Sequence, residues 1–492
     1  MKRNKLSSIS RRAFLRSACA ATAAACALPQ TTRAAKHPNI VYILADDMGY
    51  GDPRCYHAES QVPTPNIDRL ATGGRRFTDC HSPSAVCTPT RYGVLTGRYS
   101  WRTKLTRGVL WGRSPLLIER ERDTVAKLLK RNGYDTACIG KWHLGLGDRV
   151  ETDYTRPLTP GPNDCGFDSF FGIPASLDMD PYCYVENDRP TEPLTGHTSG
   201  SKHNEGGFWR EGAKSPSFDF DQVLPTLTSK AESYIHTHAA EDEPFFLYLP
   251  LTAPHTPWLP IDPFRGSTEA GDYGDFAAQV DATVGRVLDA LEAADVADET
   301  LVIFTSDNGA HASHIPKPVT HQPNYPLRGQ KADILEGGHR IPFIARWPER
   351  IPAGTTDDGL MCLTDFYATC AALVGDTPPT NGGPDSFNQL PAFLGESHDD
   401  PLRPVAIHHS IAGVFAVRKG DWKFIDALGH AGFGWKADKF RPKPGGPTGQ
   451  LYNLADDPRE ENNLYDELPE RVAEFRALLK RAKSTPELRT VI

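Results

Sequence analysis

Two short and almost wholly apolar segments, each followed at once by acidic or amide residues, constrain the fold of this 492-residue chain most strongly. They are residues 39–45 and residues 301–306, and both are rich in β-branched and other apolar side chains. Apolar runs of this length are typical of strands that are buried on both faces of a sheet. Such strands are usually parallel and are covered by helices, so the pattern predicts an α/β fold.

The polar residues that follow these two strands are Asp46, Asp47, Asp307 and Asn308. Ligands of open α/β sheets bind beyond the carboxyl ends of the strands, so the four side chains are expected in one crevice. A single Asp-Asp pair is usually a solvated turn, but two such strand ends, each followed closely by glycine, favour a joint site. Ligation by oxygen alone favours Ca²⁺ or Mg²⁺ over Zn²⁺. The sequence therefore predicts a site for a hard divalent cation.

The remaining pattern predicts a large α/β unit at residues 36–391 and a smaller unit at residues 392–492. Short apolar runs alternate with helical stretches in the first unit, as expected for a sheet flanked by helices. Residues 151–220 are rich in Pro, Gly, Asp, Thr and Ser, which predicts an insertion of loops that can form the walls of a substrate site. The elements predicted beyond these are a helix at 276–293, antiparallel strands at 405–409, 414–418 and 422–425, and a helix at 469–481.

Residues 87–91 read Cys-Thr-Pro-Thr-Arg, and residues 95–98 continue with Leu-Thr-Gly-Arg. The whole segment resembles the signature of the sulfatase family, in which the cysteine is oxidised after synthesis to formylglycine, an aldehyde whose hydrate attacks sulfur. The resemblance implies that Cys87 is this residue. A lone cysteine is more often a buried structural thiol, but this chain also contains the other residue types that the chemistry needs.

Cationic residues that match the family follow further apolar runs in the expected order. Lys141 and His143 lie in the segment Gly-Lys-Trp-His-Leu-Gly, and alternation would point both side chains the same way if the segment is extended. His255 lies between two prolines, and Lys331 precedes Ile-Leu-Glu-Gly-Gly-His-Arg-Ile-Pro, which also matches a sulfatase pattern. Each residue alone would be an ordinary solvated lysine or structural histidine, but their joint order favours a functional role.

The resemblance implies an alkaline-phosphatase-like core, with a large mixed sheet flanked by helices and a small C-terminal antiparallel-sheet subdomain. It implies Ca²⁺ as the cation, bound by residues that match Asp46, Asp47, Asp307 and Asn308 together with the converted Cys87. It also implies roles in neutralising sulfate charge and in transferring protons. The matching residues are Arg91 and Lys141 for holding the hydrate, Asp307 for its deprotonation, His143 as the base for adduct collapse, His255 and Lys331 for contacting sulfate and protonating the leaving oxygen, and Ser176 as a further substrate contact.

Residues 10–16 read Ser-Arg-Arg-Ala-Phe-Leu-Arg, a twin-arginine pattern, and the alanine-rich run that follows is too short and too weakly apolar for a membrane span. Residues 1–35 are therefore expected to be an export signal, with lipoprotein cleavage before Cys26 as a weaker alternative. The pattern predicts a periplasmic or secreted protein that the twin-arginine export machinery carries in folded form. A formylglycine-generating enzyme would then act on Cys87 in the cytoplasm, before folding.

Composition limits the partners of the chain. A net charge of −8 provides no basic surface for nucleic acid, and no later apolar run is expected to span a membrane. Two of the ten cysteines lie in the leader and one is Cys87, so an odd number remains and at least one must be free. Cys165 and Cys183 are the nearest plausible disulfide partners, although sequence does not fix the pairing.

These features predict hydrolysis of sulfate esters, with two alternatives. One is a phosphate mono- or diesterase of the same superfamily, and the other is an inactive protein that binds sulfated glycans because Cys87 is not converted. The polar insertion favours a hydrophilic substrate, and a resemblance to arylsulfatase-A-like and N-acetylgalactosamine-6-sulfatase-like members favours a sulfated galactose or N-acetylgalactosamine. The candidate sugar contacts in the insertion are Asp178, Asp180, His197, His203, Trp209 and Arg210.

Overall fold

The computed structural model describes residues 37–202, 206–348, 350–398 and 400–491. Residues from Pro38 onward form one compact unit. The expected export signal at residues 1–35 lies outside the described residues, as does His203. Within the described ranges, no helix is both long enough and apolar enough to cross a membrane.

The regular elements of the described residues alternate along the chain in the expected α/β manner. The strands are β1 (Asn39–Ala45), β2 (Arg75–Phe77), β3 (Cys80–His81), β4 (Asp135–Lys141), β5 (Ser169–Ile173), β6 (Val185–Glu186), β7 (Arg189–Pro190), β8 (Gly196–Thr198), β9 (Ser201–Lys202), β10 (Phe208–Trp209), β11 (Gly212–Lys214), β12 (Phe245–Pro250), β13 (Thr300–Ser306), β14 (Phe343–Arg346), β15 (Thr355–Asp357), β16 (Met361–Cys362), β17 (Ala406–His409), β18 (Phe415–Lys419), β19 (Trp422–Ile425) and β20 (Gln450–Asn453). The helices are α1 (Pro65–Thr72), α2 (Cys87–Thr96), α3 (Val125–Arg131), α4 (Val223–His238), α5 (Gly271–Ala293), α6 (Glu336–His339), α7 (Phe366–Val374), α8 (Leu390–Leu394) and α9 (Pro469–Ser484).

The central sheet has ten strands in the order β15-β2-β14-β13-β1-β12-β4-β5-β6-β7. From β13 to β5 neighbouring strands run parallel, whereas β14 is antiparallel to β13 and β6 is antiparallel to β5. The expected large mixed sheet is therefore confirmed. The parallel middle places the carboxyl ends of β1, β4, β12 and β13 at one edge.

Alternation along β1 explains how helices cover both faces of the sheet. Tyr42 and Leu44 pack into a core formed with α2, α3 and α7, whereas Val41 and Ile43 pack into a second core formed with α1, α4 and α5. All four side chains are fully buried. Burying a side chain of this size contributes roughly 1.5–3 kcal/mol to folding. The buried strand thus holds the polar residues that follow it in a fixed position.

The C-terminal part is an antiparallel sheet in the order β17-β18-β19-β20, and its apolar face packs against α9. The three strands and the helix expected from the sequence are present, and α9 continues to Ser484. β20 adds a fourth strand, because Leu451 and Tyr452 in this short apolar run are buried.

The polar insertion at residues 151–220 contains more regular structure than the expected loops. β5 pairs in parallel with β4 and so extends the central sheet. Phe170 and Ile173 of β5 are buried. This short strand was not predicted, because the segment around it is polar in composition. Beyond β5, the insertion forms the short antiparallel pairs β8–β11 and β9–β10.

Cys165 and Cys183, the nearest plausible disulfide partners in the sequence, are both free thiols in the structure. Each thiol is buried in the same apolar core. Burial raises the pKa of both thiols to about 12. Both cysteines therefore pack as small apolar residues.

Candidate active site

The predicted site residues converge at the carboxyl edge of the sheet. Asp46 and Asp47 follow β1, Lys141 ends β4, and Asp307 and Asn308 follow β13. Cys87 begins α2 and is buried beside them. Its Sγ lies within 4.8 Å of a carboxylate oxygen of Asp46 and of Asp307. The joint crevice expected from the two acidic strand ends is thus present in the fold.

Two short ion pairs join the aspartates of β1 to the lysines. Lys141 Nζ donates to Asp46 Oδ2 at 2.6 Å, and Lys331 Nζ donates to Asp47 Oδ2 at 2.6 Å. All four side chains are buried. Burial alone would raise the pKa of Asp46, but the charges of Lys141 and His255 hold it well below its usual range. The Asp46 carboxylate therefore remains ionised although it is buried.

Arg91 forms the third pair, from the second turn of α2. Its Nε and Nη2 donate to Asp307 Oδ2 at 3.1 and 2.8 Å, and its Nη1 donates to the carbonyl of Lys141 at 2.9 Å. Burial and the nearby charge of Asp46 raise the pKa of Asp307 to about 7. Arg91 thus fixes the end of β4 and the carboxylate of β13 relative to Cys87.

Two oxygens of the cluster have no hydrogen-bond partner among the described residues. They are Asp46 Oδ1 and Asn308 Oδ1, and both are buried. Asn308 Nδ2 donates to Asp47 Oδ1 at 2.7 Å, which fixes the orientation of the amide. Buried oxygens without partners are costly unless a cation or donor satisfies them. The donor set therefore fits a hard divalent cation.

Ser176 and His255 lie on the side of the cluster that faces the cavity. Ser176 Oγ accepts from Lys141 Nζ at 2.7 Å and lies 3.3 Å from His255 Nε2. The other ring nitrogen of His255 lies 2.6 Å from the carbonyl oxygen of Thr256. Ser176, which the resemblance implied as a further substrate contact, therefore belongs to the same hydrogen-bonded cluster as Lys141.

The backbone of His143 is not extended, so the alternation expected for Lys141 and His143 does not apply. Its φ is +55°, so the backbone leaves the extended conformation after Lys141. Its Nε2 lies 2.9 Å from the carbonyl of Leu110, while its Nδ1 is buried and has no hydrogen-bond partner within the described part of the chain. Burial and the charges of Lys141 and Arg91 hold the pKa of His143 well below its usual range. A neutral ring that donates from Nε2 leaves a free lone pair on Nδ1.

A cavity of about 500 Å³ leads from Cys87 to the surface. Ser176, His255 and Lys331 line its inner end. Sequence reasoning did not identify several residues of its walls, although the His-Ala-Ser-His spacing directly after Asp307-Asn308-Gly-Ala could have drawn attention to two of them. These additional lining residues are Trp111, Phe208, His311, His314 and Phe433.

Only part of the predicted set of sugar contacts lines this cavity. Asp178 and Arg210 do so. Asp180 instead pairs with Arg113 at 3.2 Å, outside the lining residues. Two further residues of the set lie elsewhere: the His197 ring is 3.1 Å from Glu211, and the Trp209 indole donates to Thr198 at 3.1 Å.

The fold and the site together define a hydrolase with an alkaline-phosphatase-like α/β fold. Its strand-end carboxylates and paired cations surround a buried residue at a helix N-terminus, where an anionic ester head can be bound. The family model described as Sulfatase matches residues 38–376. The chain belongs to the sulfatase family and is a sulfuric ester hydrolase. A metal site is typical of this family, in agreement with the oxygen cluster described above.

Several relatives align over most of their length. An N-acetylgalactosamine-6-O-sulfatase of Bacteroides thetaiotaomicron is 36% identical over 91% of this chain and 93% of its own. Human arylsulfatase A is 35% identical over 87% of this chain and 84% of its own. A solved structure described under the metabolism of multiple glycosaminoglycans by Bacteroides thetaiotaomicron superposes with a TM-score of 0.83, at 34% identity, over 92% of this chain and 100% of its own.

Proposed function

We propose that this sulfatase removes sulfate from a carbohydrate by means of a formylglycine at position 87 and a bound Ca²⁺. The observation that supports the proposal is the position of Cys87, at the N-terminus of α2, between the carboxylates of Asp46 and Asp307 and the cavity. Burial raises the pKa of its thiol to about 11, so an unmodified Cys87 is a protonated thiol and a weak nucleophile near neutral pH.

Asp46, Asp47, Asp307 and Asn308 would hold the Ca²⁺, and Cys87 is the residue that would become formylglycine. At this site the ion would supply positive charge beside the sulfate oxygens, and the hydrated aldehyde would supply the attacking hydroxyl. The oxygens of Asp46 and Asn308 that lack a hydrogen-bond partner support this assignment, because a cation would satisfy both of them. Asp46 Oδ1 also lies 3.5 Å from Arg91 Nη2.

The cations of the chain bind and orient the sulfate head. Lys331 carries fixed positive charge in the cavity wall, and the fully buried Lys141 carries fixed positive charge next to Ser176 of the same wall. Arg91 holds Asp307 in position to accept a proton from the attacking group. The Nδ1 lone pair of His143 is the base for the second half of the reaction, and His255, with Lys331, protonates the leaving oxygen.

The substrate is proposed to be a terminal sulfated galactose or N-acetylgalactosamine, cleaved in an exo manner. A cavity of about 500 Å³ is within the usual size of small-ligand sites and accommodates a sugar ring. The relative named as an N-acetylgalactosamine-6-O-sulfatase aligns over most of both chains, which supports the same choice of sugar.

The proposal also covers maturation and location. Residues 1–35 act as a twin-arginine signal, residues 36–391 as the catalytic domain and residues 392–492 as the C-terminal subdomain. Because twin-arginine export carries folded proteins, a formylglycine-generating enzyme modifies Cys87 in the cytoplasm before folding. The mature protein then acts in the periplasm or outside the cell.

The nucleophile is tested by the intact mass of the active enzyme and by Cys87→Ala. The mass at residue 87 should show the aldehyde or its hydrate, and Cys87→Ala should abolish turnover while the circular dichroism spectrum is retained. An unmodified thiol in an inactive protein would favour the glycan-binding alternative. Full activity of Cys87→Ala would overturn the mechanism.

Substrate class is tested with matched esters. The enzyme should cleave the sulfate ester of a phenol faster than the phosphate ester of the same phenol, whereas the reverse order would favour the phosphoesterase alternative. Values of kcat/KM on a sulfated N-acetylgalactosamine, a sulfated fucose oligosaccharide and an aryl sulfate should be highest for the first. Preference for the aryl sulfate would contradict the carbohydrate proposal.

A further inference from the structure

The Asp178–Arg210 pair in the cavity wall combines a fixed donor with a free acceptor. Arg210 Nη1 contacts Asp178 Oδ2 and also donates to the backbone carbonyl of Asp178 at 3.0 Å. The other carboxylate oxygen, Asp178 Oδ1, is buried and has no hydrogen-bond partner among the described residues. Asp178 is only 6% exposed, so this oxygen is shielded from bulk water by protein.

Aromatic rings hold the guanidinium of Arg210 in place. It lies 4.9 Å from the ring centre of Trp111 and 5.0 Å from that of Phe208. Both rings line the cavity, and Trp111 is 53% exposed there. The backbone N–H of Arg210 also donates to the carbonyl of Asp178 at 3.2 Å. Because the pair is held before a ligand arrives, little conformational entropy is lost when it binds one.

The pair lies close to the reacting end of the cavity. Asp178 is two residues after Ser176, and a turn closed by the N–H of Met179 and the carbonyl of Ser176 joins them. The Cα atoms of residues 176 and 178 are therefore at most about 7.6 Å apart. Ser176 accepts from Lys141 at the proposed sulfate position. A hydroxyl group on the far side of the sugar ring that carries the sulfate would thus be within reach of Asp178.

We propose that Asp178 and Arg210 determine specificity by binding two adjacent hydroxyl groups of the sugar that carries the sulfate. Asp178 Oδ1 accepts a hydrogen bond from one hydroxyl, and Arg210 donates to its neighbour, while Trp111 covers the face of the ring. This inference rests on the proposed sulfatase function and adds the chemical feature by which the site selects a carbohydrate. An aryl sulfate has no hydroxyl pair and leaves Asp178 Oδ1 unsatisfied.

The energetic argument follows from the unpartnered oxygen. A site that leaves a buried acceptor unsatisfied discriminates against ligands that lack the matching donor, because the acceptor has already lost its water. Discrimination of this kind reaches about 10⁴-fold in enzymes that bind a substrate hydroxyl. We expect Asp178→Asn, which keeps the shape but replaces the charged acceptor, to lower kcat/KM on the sulfated sugar by about 10²-fold or more.

The test measures kcat/KM of the mature enzyme on three kinds of substrate: N-acetylgalactosamine 6-sulfate, its analogues that lack one ring hydroxyl at a time, and 4-nitrophenyl sulfate. Asp178→Asn should lower kcat/KM on the complete sugar by at least about 10-fold more than it lowers kcat/KM on 4-nitrophenyl sulfate. For the wild type, kcat/KM should be lower on one of the deoxy analogues than on the complete sugar. For Asp178→Asn, kcat/KM should be the same on that analogue as on the complete sugar. Asp180→Asn, which changes a carboxylate of the same loop outside the cavity lining, is the matched control and should behave as the wild type.

Each outcome assigns the failure to one of the two proposals. No turnover of any sulfate by the wild type would contradict the sulfatase mechanism itself. Turnover of 4-nitrophenyl sulfate together with an equal loss on both substrates in Asp178→Asn would overturn the specificity role and leave the mechanism standing. Additive losses between every deoxy analogue and Asp178→Asn would also overturn it, since no hydroxyl would then be coupled to this carboxylate.

Discussion

Charge pairing determines how the site works at the scale of single residues. Asp46 and Asp47 each commit one oxygen to a lysine, and Asp307 commits one to Arg91. The lysines are therefore held by carboxylates. Lys331 also lines the cavity, whereas Lys141 is fully buried and donates to Ser176 of the cavity wall. Such preorganised charge stabilises a transition state without reorganising during the reaction. The same pairing makes each partner sensitive to loss of the other.

Lys331→Ala is expected to lower kcat by about 10²-fold or more, because it removes a fixed charge and a proton donor that act mainly in the transition state. The loss also leaves Asp47 Oδ2 without its closest cation. Steady-state kinetics on a sulfated sugar would measure it, with Lys317→Ala, far along the same loop and exposed, as the control. A change confined to KM would mean that Lys331 contributes binding alone.

Asn308→Ala is expected to weaken Ca²⁺ binding, because it removes one of the two unpartnered oxygens and frees Asp47 Oδ1 from its amide donor. Calcium titration of metal-free enzyme should show the lower affinity, and added Ca²⁺ should restore part of the activity. Chelation should also inactivate the wild type. Full activity of thoroughly dialysed enzyme that contains no divalent ion would contradict the metal assignment.

Residue-level prediction succeeded where chemistry and strand ends coincide. Asp46 and Asp307 could be placed together because apolar runs fixed the strands that precede them. The conformation of His143 could not be predicted, since its positive φ depends on contacts with Leu110, which is distant in sequence. Trp111 lay outside the prediction for a similar reason: it is a single exposed aromatic residue whose position depends on the fold of a loop.

At the scale of elements, close contact between β4 and β12 positions Lys141. Gly140 has a φ of +144°, and a Cβ added there would lie 1.9 Å from the carbonyl oxygen of Pro250. The strand pair can therefore approach closely only with glycine at this position. The neighbouring Lys141 is brought by this approach to Asp46, which follows β1.

Gly140→Ala is expected to destabilise the protein by about 2 kcal/mol or more and to lower activity, because β4 must move away from Pro250 or adopt a strained φ. Urea unfolding and kcat measure the two effects. Gly446→Ala is the matched control, since the nearest atom to an added Cβ there is 3.4 Å away and its φ is not in the left-handed region. An unchanged unfolding midpoint in Gly140→Ala would contradict this account of the strand contact.

Elements with strong local signals could be predicted, and elements that depend on distant pairing could not. β1 and β13 are largely apolar runs, and each was expected at nearly its observed position. The antiparallel edge formed by β14 and β2 joins residues far apart in the chain, and nothing in either short segment specifies the other. β5 was missed because the surrounding composition is that of loops.

At the scale of the whole molecule, distant segments close the cavity over the sheet edge. Trp111 comes from a loop before α3, Phe208 from the insertion, His311 from the loop after β13, and Phe433 from the C-terminal part. The His311 ring lies 4.9 Å from that of Phe433 and 3.7 Å from that of His314. Stability and the shape of the site are therefore linked, since the walls are assembled only in the complete fold.

Acid should destabilise the whole molecule through His311. Burial and the charge of Lys331 lower the pKa of His311 from its usual 6.5 to about 3. As pH falls below 6.5 the unfolded chain takes up the proton first, so stability is lost progressively down to about pH 3, by on the order of 3 kcal/mol from this residue. Urea unfolding between pH 7 and pH 4 should therefore show a shallower loss for His311→Gln than for the wild type. His236→Gln, at an exposed position of α4, is the control and should leave the dependence of stability on pH unchanged. Parallel pH profiles for His311→Gln and the wild type would contradict this prediction, because the His311 ring would then already be accessible to protons in the folded protein.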